Sequence, residues 1–477
     1  MNSVVRQLYE QNTDVIMVDT GHSYEGLCTY LGGKYITYRE DSPISMNPFK
    51  ITKEEFNVEK INFLKSLIFV IWKGADGSVS TIEDEFIQRT LETYYQFYFD
   101  PFHGYSNEQR ERRKSVLMLE MRNKRKSSDI DNERFVAKRR IKMLEALNQS
   151  KGNTEAEVET AQAKIEELKE KYAIEDDETM SLILYEISRE EEELKSIQVT
   201  ELSFNGFFEF ALQYIPFLQE ESRIKFDIDG FRFLLSKFYK GGALERTLNE
   251  NMDTTLFDEK FIVFEIDAIK DDPKLFPIVT LIIMDVFLQK MRLKNNRKAL
   301  IIEEAWKAIA SPLMAGYILY LYKTVRKFWG IVGVVTQEIE DIISSEIVKS
   351  AIINNSEITI LLDQTKLKDR FAEIQALLGL TDIECAKIWT INNLDNKQGR
   401  GAFKEVYIRR GNYGEVYGVE ESPECYMAYT TEKVEKDALA KYRAIYGDIQ
   451  VAIQEFCNDW RASGISKIMD FSKQVMS

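Results

Sequence analysis

Two adjacent glutamates, Glu303 and Glu304, follow the apolar run "ALII" and precede "AWK". A continuous apolar run is typical of a strand buried on both faces, and open parallel sheets bind ligands at the carboxyl ends of such strands. One carboxylate there can hold Mg²⁺, directly or through a water, while a second can orient or deprotonate an attacking water. The pair therefore predicts a catalytic carboxylate site. The alternative is a helix N-terminus that negative charge favours.

Two further polar residues lie near another apolar run, "GIVGVVTQ". Gln337 closes this run, where an uncharged amide can sense a γ-phosphate or hold the attacking water, although such a residue can also be a simple cap. Arg326, in "YKTVRKFWG", could reach a phosphate on a neighbouring subunit and neutralise charge in the transition state. The alternative for Arg326 is an exposed position near the end of a helix, and the spacing leaves both interpretations open.

The stretch "VDTGHSYEGLC" (18–28) contains G-x-x-x-x-G, from Gly21 to Gly26, but Leu27 and Cys28 follow it. A phosphate-binding loop needs a lysine for the β- and γ-phosphates and a serine or threonine for Mg²⁺ at those positions. The complete motif, G-x-x-x-x-G-K-[ST], occurs nowhere in the 477 residues. We therefore expect that this stretch holds no phosphate, and that residues 1–477 alone do not bind a nucleotide tightly.

The elements that would position these residues alternate along the chain. Apolar runs predict six strands, separated by helical segments: "DVIMVD" (14–19), "KYITY" (34–38), "KFIVFEID" (260–267), "KALIIEE" (298–304), "GIVGVVTQ" (330–337) and "EITILLD" (357–363). This alternation predicts an α/β fold with a mostly parallel sheet and crossover helices. Residues 404–430 predict a β-meander with a turn at Gly411 and Asn412, followed by two helices to the end.

Composition changes between about residues 76 and 240, where helix formers with three- and four-residue apolar spacing dominate. This range predicts an all-helical insertion with a basic arm, then an acidic arm. The basic arm could bind DNA, or the two arms could complement each other as a solvated helical hairpin. The predicted organisation is 1–75 and 241–430 for the two parts of the core, 76–240 for the insertion, and 431–477 for C-terminal helices.

Bulk composition excludes several classes of protein. The net charge of −15 argues against a generally basic, DNA-coating surface, although it allows a local basic groove. Four scattered cysteines without a C-x-x-C pair, and only two histidines, make a disulfide framework or a zinc site a poor hypothesis and fit a reducing cytoplasm. The most apolar run, residues 275–291, contains Asp285 and is too short to span a bilayer, so it predicts a buried helix.

Four stretches of the sequence resemble the TraG-type conjugative-transposon ATPases. These belong to the transfer-ATPase family of type IV secretion, within the FtsK/HerA superfamily of hexameric P-loop motors. The stretches are "VVRQLYEQNTDVIMVDTGHSYEGLCTYLGGKYITYREDSPISMNPF", "FIVFEIDAIKDDPKLFPIVTLIIMDVFLQKM", "RKALIIEEAWKAIASPLMAGYILYLYKTVRKFWGIVGVVTQEIEDI" and "IINNSEITILLDQ". With the tail, the resemblance covers almost the whole chain, and it implies a RecA-like motor core.

The resemblance also implies roles for single residues. Glu303 takes the Walker B position, where many relatives have Asp, so it would hold Mg²⁺ of the bound ATP directly or through a water. Glu304 matches the catalytic glutamate, Gln337 the sensor glutamine, and Arg326 the arginine finger that acts in trans. Family members carry the phosphate loop, or Walker A, immediately before the helix that opens at "NSVVRQLYEQ". The expectation is thus a C-terminal portion of a longer ATPase that lacks the Walker A region.

The resemblance implies that the protein is a motor that couples ATP hydrolysis to pilus assembly or to the transfer of DNA or protein. The implied partners are conjugation channel components at the inner membrane, other copies in a homo-hexamer, and DNA. The implied location is the bacterial cytoplasm, peripheral to the inner membrane. Two alternatives stay open: a non-hydrolysing interaction module of a secretion system, and a fragment of a HerA- or FtsK-like DNA translocase.

Overall fold

The computed structural model describes most of the 477 residues. The described residues are 1–40, 42–125, 129–148, 155–172, 176–250, 254–303, 312–336, 352–393 and 403–477. They form two compact units, one of residues 1–95 and 201–477 and the other of residues 96–200.

Five parallel strands form the main sheet of the first unit. They are β1 (Asp14–Asp19), β2 (Lys34–Thr37), β3 (Phe261–Glu265), β4 (Lys298–Glu303) and β5 (Gly330–Val335). Their order across the sheet is β2-β3-β1-β4-β5, and every neighbouring pair is parallel. The predicted parallel sheet is therefore confirmed for these five strands.

The described residues of both units contain helices. They are α1 (Asn2–Glu10), α2 (Glu25–Tyr30), α3 (Val58–Lys73), α4 (Thr81–Phe99), α5 (Asn107–Arg125), α6 (Asp129–Asn148), α7 (Glu155–Tyr172), α8 (Asp176–Ser196), α9 (Phe204–Ser222), α10 (Ile228–Leu235), α11 (Glu245–Asn249), α12 (Leu275–Leu293), α13 (Pro312–Thr324), α14 (Phe371–Leu378), α15 (Asp382–Ile388), α16 (Pro423–Tyr429), α17 (Lys433–Tyr446), α18 (Ile449–Ser463) and α19 (Ile468–Met476).

The two faces of the main sheet carry different helices. Val15 and Met17 belong to the core cluster that includes Val5 of α1 and Leu27 of α2. Asp14, one residue earlier in β1, contacts Lys290 of α12. Because successive side chains of a strand point to opposite faces, α1 and α2 cover one face and α12 covers the other.

Helix α12 matches the buried helix predicted from its apolar sequence. Its one carboxylate, Asp285, is buried, and the Lys60 ammonium lies 2.6 Å from it. This pairing compensates the charge that burial would otherwise leave isolated. Among the described residues, no helix combines the length and the apolar composition that crossing a membrane requires.

A second sheet corrects the predicted position of residues 357–363. β6 (Ile358–Leu361), β7 (Phe403–Arg410) and β8 (Tyr413–Glu420) form an antiparallel sheet in that order, so residues 357–363 do not join the parallel sheet as predicted. The physical reason is exposure: Ile358 is 57% exposed, whereas strands of a covered parallel sheet are buried on both faces. The β7–β8 turn lies at Gly411 and Asn412 as predicted, with Gly411 at a φ of 57°.

The end of the predicted meander is helical. Residues 423–429 form α16, because Ser422 caps the helix by accepting from the Cys425 N–H and Pro423 fits the first helical position. Three helices follow α16 where two were predicted.

The second unit consists of helices in its described residues, and α5 packs against α8 while α6 packs against α7. Two arginines of the basic arm make two-pronged ion pairs with the acidic arm: Arg110 with Glu191, and Arg113 with Glu190. Glu190 and Glu191 are buried. These pairs favour the interpretation in which the two arms complement each other.

Candidate functional site at the carboxyl edge of the sheet

Three carboxylates align across adjacent strands at the carboxyl edge of the main sheet. Asp19 of β1 pairs in register with Glu265 of β3, and Val18 pairs with Ile302 of β4, which brings Glu303 beside Asp19. Neighbouring strands lie about 4.8 Å apart, so the three side chains form a continuous row. Two-residue alternation from Met17 places this carboxylate row (Asp19, Glu265 and Glu303) on the face that α1 and α2 cover.

Asp19 is buried and holds the loop that follows β1. Its Oδ1 accepts from the Gly21 N–H at 3.1 Å, and its Oδ2 accepts from the N–H groups of Ser23 at 2.8 Å and Tyr24 at 3.3 Å. A carboxylate that accepts several backbone N–H groups fixes the path of the chain around it. Asp19 therefore fastens residues 20–24 to the edge of the sheet.

Glu265, also buried, takes the remaining N–H of this loop. Its Oε2 accepts from the His22 N–H at 2.8 Å and from the Tyr35 hydroxyl at 3.1 Å, and its Oε1 accepts from the Asp267 N–H at 2.8 Å. His22 has a left-handed φ of 52°, which turns its N–H toward this carboxylate. Four successive N–H groups of the G-x-x-x-x-G stretch thus donate to the protein's own carboxylates, so in this structure they are not available to a phosphate.

The carboxylate row has a strongly negative potential. Burial, then the charge of Glu265 and a hydrogen bond with it, raise the pKa of Asp19 to about 7, and the charge of Glu303 contributes in the same direction. The Asp19 carboxyl therefore keeps its proton to a higher pH than an ordinary aspartate does. A site with this potential attracts a cation.

Glu303 lies where α1 begins. Burial lowers the pKa of the Met1 amino group, while the charges of Glu303 and Glu421 oppose that shift, so both carboxylates lie near this helix end. Helix N-termini carry partial positive charge and unpaired N–H groups, which favour anions such as phosphate. The edge thus combines a carboxylate that suits a cation with a helix end that suits an anion.

The carboxylates at this edge suit Mg²⁺ better than they suit a metal ion that is coordinated by protein side chains alone. Among the described residues, no three Asp, Glu, His or Cys side chains converge on one metal position. Mg²⁺ usually binds one or two protein carboxylates and completes its shell with waters and phosphate oxygens. Glu303 at the strand end meets that requirement.

The other predicted site residues lie elsewhere or cannot be placed. Glu304 and Gln337 lie outside the described residues. Arg326 is exposed in the one-turn helix Val325–Phe328, which precedes β5 and so lies at the amino edge of the sheet. The length of β4 separates it from Glu303 by roughly 17 Å. The structure therefore does not bring Arg326 and Glu303 of one chain together.

Sequence reasoning missed Asp19, Glu265 and Tyr24. A signal was present for the two carboxylates, because each ends an apolar run, "DVIMVD" or "FIVFE", as Glu303 does. No comparable signal marks Tyr24. Its importance depends on the path of the loop, which the Asp19 contacts determine.

The sequence matches the family described as the TraG P-loop domain over residues 1–139 and 157–460. A search of curated proteins found no match. Among solved structures, VirB4 of Thermoanaerobacter pseudethanolicus is 15% identical, with 90% of this chain and 87% of VirB4 covered and a TM-score of 0.50. The bacterial conjugative coupling protein TrwB is 10% identical in an unbound form, with 88% and 81% covered and a TM-score of 0.37. The likeness of fold therefore rests on VirB4.

Proposed function

The chain belongs to the TraG P-loop domain family, and on that premise we propose that it is the motor portion of a conjugative-transfer ATPase. In this proposal it couples ATP hydrolysis to pilus assembly or to the transfer of DNA or protein in type IV secretion. One observation carries the proposal: the carboxylate row and the N-terminus of α1 meet at the carboxyl edge, where a magnesium nucleotide finds both of its partners.

In this proposal, Glu303 and Glu304 have different roles at the carboxyl edge. Glu303 holds Mg²⁺, directly or through a water, and Glu304 orients or deprotonates the attacking water. Gln337, after the neighbouring strand, senses the γ-phosphate. A bound Mg²⁺ would neutralise charge on the phosphates.

Arg326 acts on another subunit in this proposal. It lies at the amino edge of its own sheet, far from its own Glu303, and its exposure leaves it accessible to a second copy. An arginine that stabilises phosphate charge in trans requires such an arrangement. A homo-hexamer, peripheral to the inner membrane, would place each Arg326 near a neighbour's nucleotide.

The decisive test measures ATP hydrolysis by a protein in which a G-x-x-x-x-G-K-[ST] segment precedes Met1. The substitution Glu304→Gln should lower turnover by about 10²-fold or more, because the amide cannot accept the proton of the attacking water. Asp258→Asn is the matched control, since Asp258 is an exposed carboxylate at the amino edge. Equal turnover in Glu304→Gln and the parent would remove Glu304 from catalysis.

A non-hydrolysing interaction module is the second candidate. It is favoured by the loop at residues 20–24, whose N–H groups bind Asp19 and Glu265 in place of phosphate. Calorimetry with ATP and Mg²⁺ on residues 1–477 tests this second candidate. Micromolar binding would contradict both the second candidate and the expectation that this stretch of chain binds no nucleotide tightly.

A HerA- or FtsK-like translocase would bind DNA through the basic arm. The ion pairs of Arg110 and Arg113 with Glu191 and Glu190 weigh against a free basic surface there. A DNA-binding isotherm that weakens steeply with salt would favour the translocase.

A further inference from the structure

Tyr24 connects the loop after β1 with the end of β4. Its ring is buried in the core cluster that contains Met17 of β1 and Ile301 of β4. Ile301 and Glu303 lie on the same face of β4, two residues apart. The ring and the Glu303 side chain therefore lie on the same face of the sheet, the face that α1 and α2 cover.

The hydroxyl of Tyr24 reaches that carboxylate. Burial, followed by the charge of Glu303 and a hydrogen bond with it, raises the pKa of Tyr24 far above its ordinary value. In this hydrogen bond the Tyr24 hydroxyl is the donor and the Glu303 carboxylate accepts. A glutamate side chain has three torsions, and a donated hydrogen bond restricts them.

The backbone of Tyr24 is held just as firmly. Its N–H donates to Asp19, and Ser23 and His22 donate to Asp19 and Glu265. The loop therefore cannot shift along the sheet edge without breaking hydrogen bonds to two buried carboxylates. Tyr24 is a rigid support for whatever its hydroxyl contacts.

We infer that Tyr24 is a positioning residue for Glu303, and that the hydrogen bonds of Asp19 and Glu265 to the loop hold Tyr24 in place for this role. The part of this inference that concerns a metal rests on the proposed function, whereas the contact between Tyr24 and Glu303 does not.

A double-mutant cycle on residues 1–477 without ligand tests the contact. The variants are Tyr24→Phe, Glu303→Ala and the pair, and the measurement is urea unfolding. The unfolding constant of the pair should depart from the product of the single effects by roughly fivefold or more, because each single change removes the same hydrogen bond. Tyr9→Phe is the matched control, since the Tyr9 hydroxyl donates to the Leu31 carbonyl and its ring packs on the same cluster. For Tyr9→Phe combined with Glu303→Ala, the change in the unfolding constant should equal the product of the two single changes. If the change for Tyr24→Phe combined with Glu303→Ala also equals that product, the inference is overturned.

Metal binding tests the positioning role itself. In the protein with an upstream phosphate loop, Tyr24→Phe should weaken the binding of Mn²⁺ in the presence of ADP by about tenfold, as loss of a residue that orients a metal ligand does. ADP binding without metal should change less than twofold, which a general loss of structure would not allow. Unchanged Mn²⁺ affinity in Tyr24→Phe would overturn the positioning role. Failure of the parent to bind Mn²⁺ would instead contradict the proposed metal role of Glu303, and the unfolding cycle would still decide the contact.

Discussion

The two edges of the parallel sheet use charge in opposite ways. At the amino edge, buried Lys290 lies 3.3 Å from Asp14 and also donates to the Glu259 carbonyl, while Asn296 donates to Asp14 at 2.7 Å. Lys298 donates to the Asn296 carbonyl at 2.6 Å. Each buried charge at this edge therefore has a partner of opposite charge or a hydrogen-bonding partner.

The carboxyl edge concentrates one sign of charge. In the part of the chain that the structure describes, neither Asp19 nor Glu265 pairs with a lysine or arginine; their partners are backbone N–H groups, a tyrosine and His22. Burial, and after it the charge of Glu265, raises the pKa of Asp19. Charges that only stabilise a fold are neutralised within it, whereas a row of like charges at a strand end suits a ligand that brings the opposite charge.

The largest effect on stability should come from the amino edge. Lys290→Met leaves Asp14 buried without its counter-charge, so the free energy of unfolding should fall by about 3–5 kcal/mol. Urea unfolding measures this change. Adding Asp14→Asn should recover part of the loss, because the remaining buried charge is removed. If Lys290→Met unfolds like the parent, the amino edge is not stabilised by charge compensation.

The carboxyl edge should respond to pH in the opposite sense from an ordinary stabilising carboxylate. Because the pKa of Asp19 is raised to about 7 in the folded protein, its contribution to stability is fully present below the unfolded pKa near 4 and is lost as pH rises through 7. Asp19→Asn removes the titrating group. The stability of this variant relative to the parent should therefore rise by on the order of 2 kcal/mol between pH 4 and pH 8, because only the parent loses a proton from Asp19 in this range.

Urea unfolding between pH 4 and 8 checks this prediction. Asp258→Asn is the control, because Asp258 is exposed at the amino edge, and its stability should follow the parent across the range. A parent whose stability rises steadily from pH 5 to 8, with Asp19→Asn less stable throughout, would show that Asp19 is charged and stabilising instead.

The smallest effect on stability should come from Arg326. Its side chain is exposed, so Arg326→Ala should change the free energy of unfolding by less than about 0.5 kcal/mol. If Arg326 serves a neighbouring subunit, ATP hydrolysis by the assembled protein should nevertheless fall by about 10³-fold. Mixing Arg326→Ala with Glu304→Gln subunits should restore part of the hydrolysis, because each supplies what the other lacks. No recovery in the mixture would argue against action in trans.

The position of Glu303 at this edge could be predicted from the sequence, but the contacts among the residues of the edge could not. Glu303 could be predicted because an apolar run identifies a buried strand, and a strand end identifies the side of the sheet where ligands bind. The pairing of Asp19 with Glu265 could not, because 245 residues separate them and only the parallel register brings them together. Residues 357–363 were assigned to the wrong sheet, since a short apolar run does not show which strand it will pair with.

The central claim is that the carboxyl edge, and not the amino edge, binds the magnesium nucleotide. Hydrogen–deuterium exchange with and without Mg²⁺ and ADP tests it most directly, in the protein with an upstream phosphate loop. If the carboxyl edge binds the nucleotide, exchange should slow in residues 18–28 and 261–270, which surround the carboxylate row, and stay unchanged in residues 290–299 at the amino edge. Protection confined to residues 290–299, or equal at both edges, would contradict it.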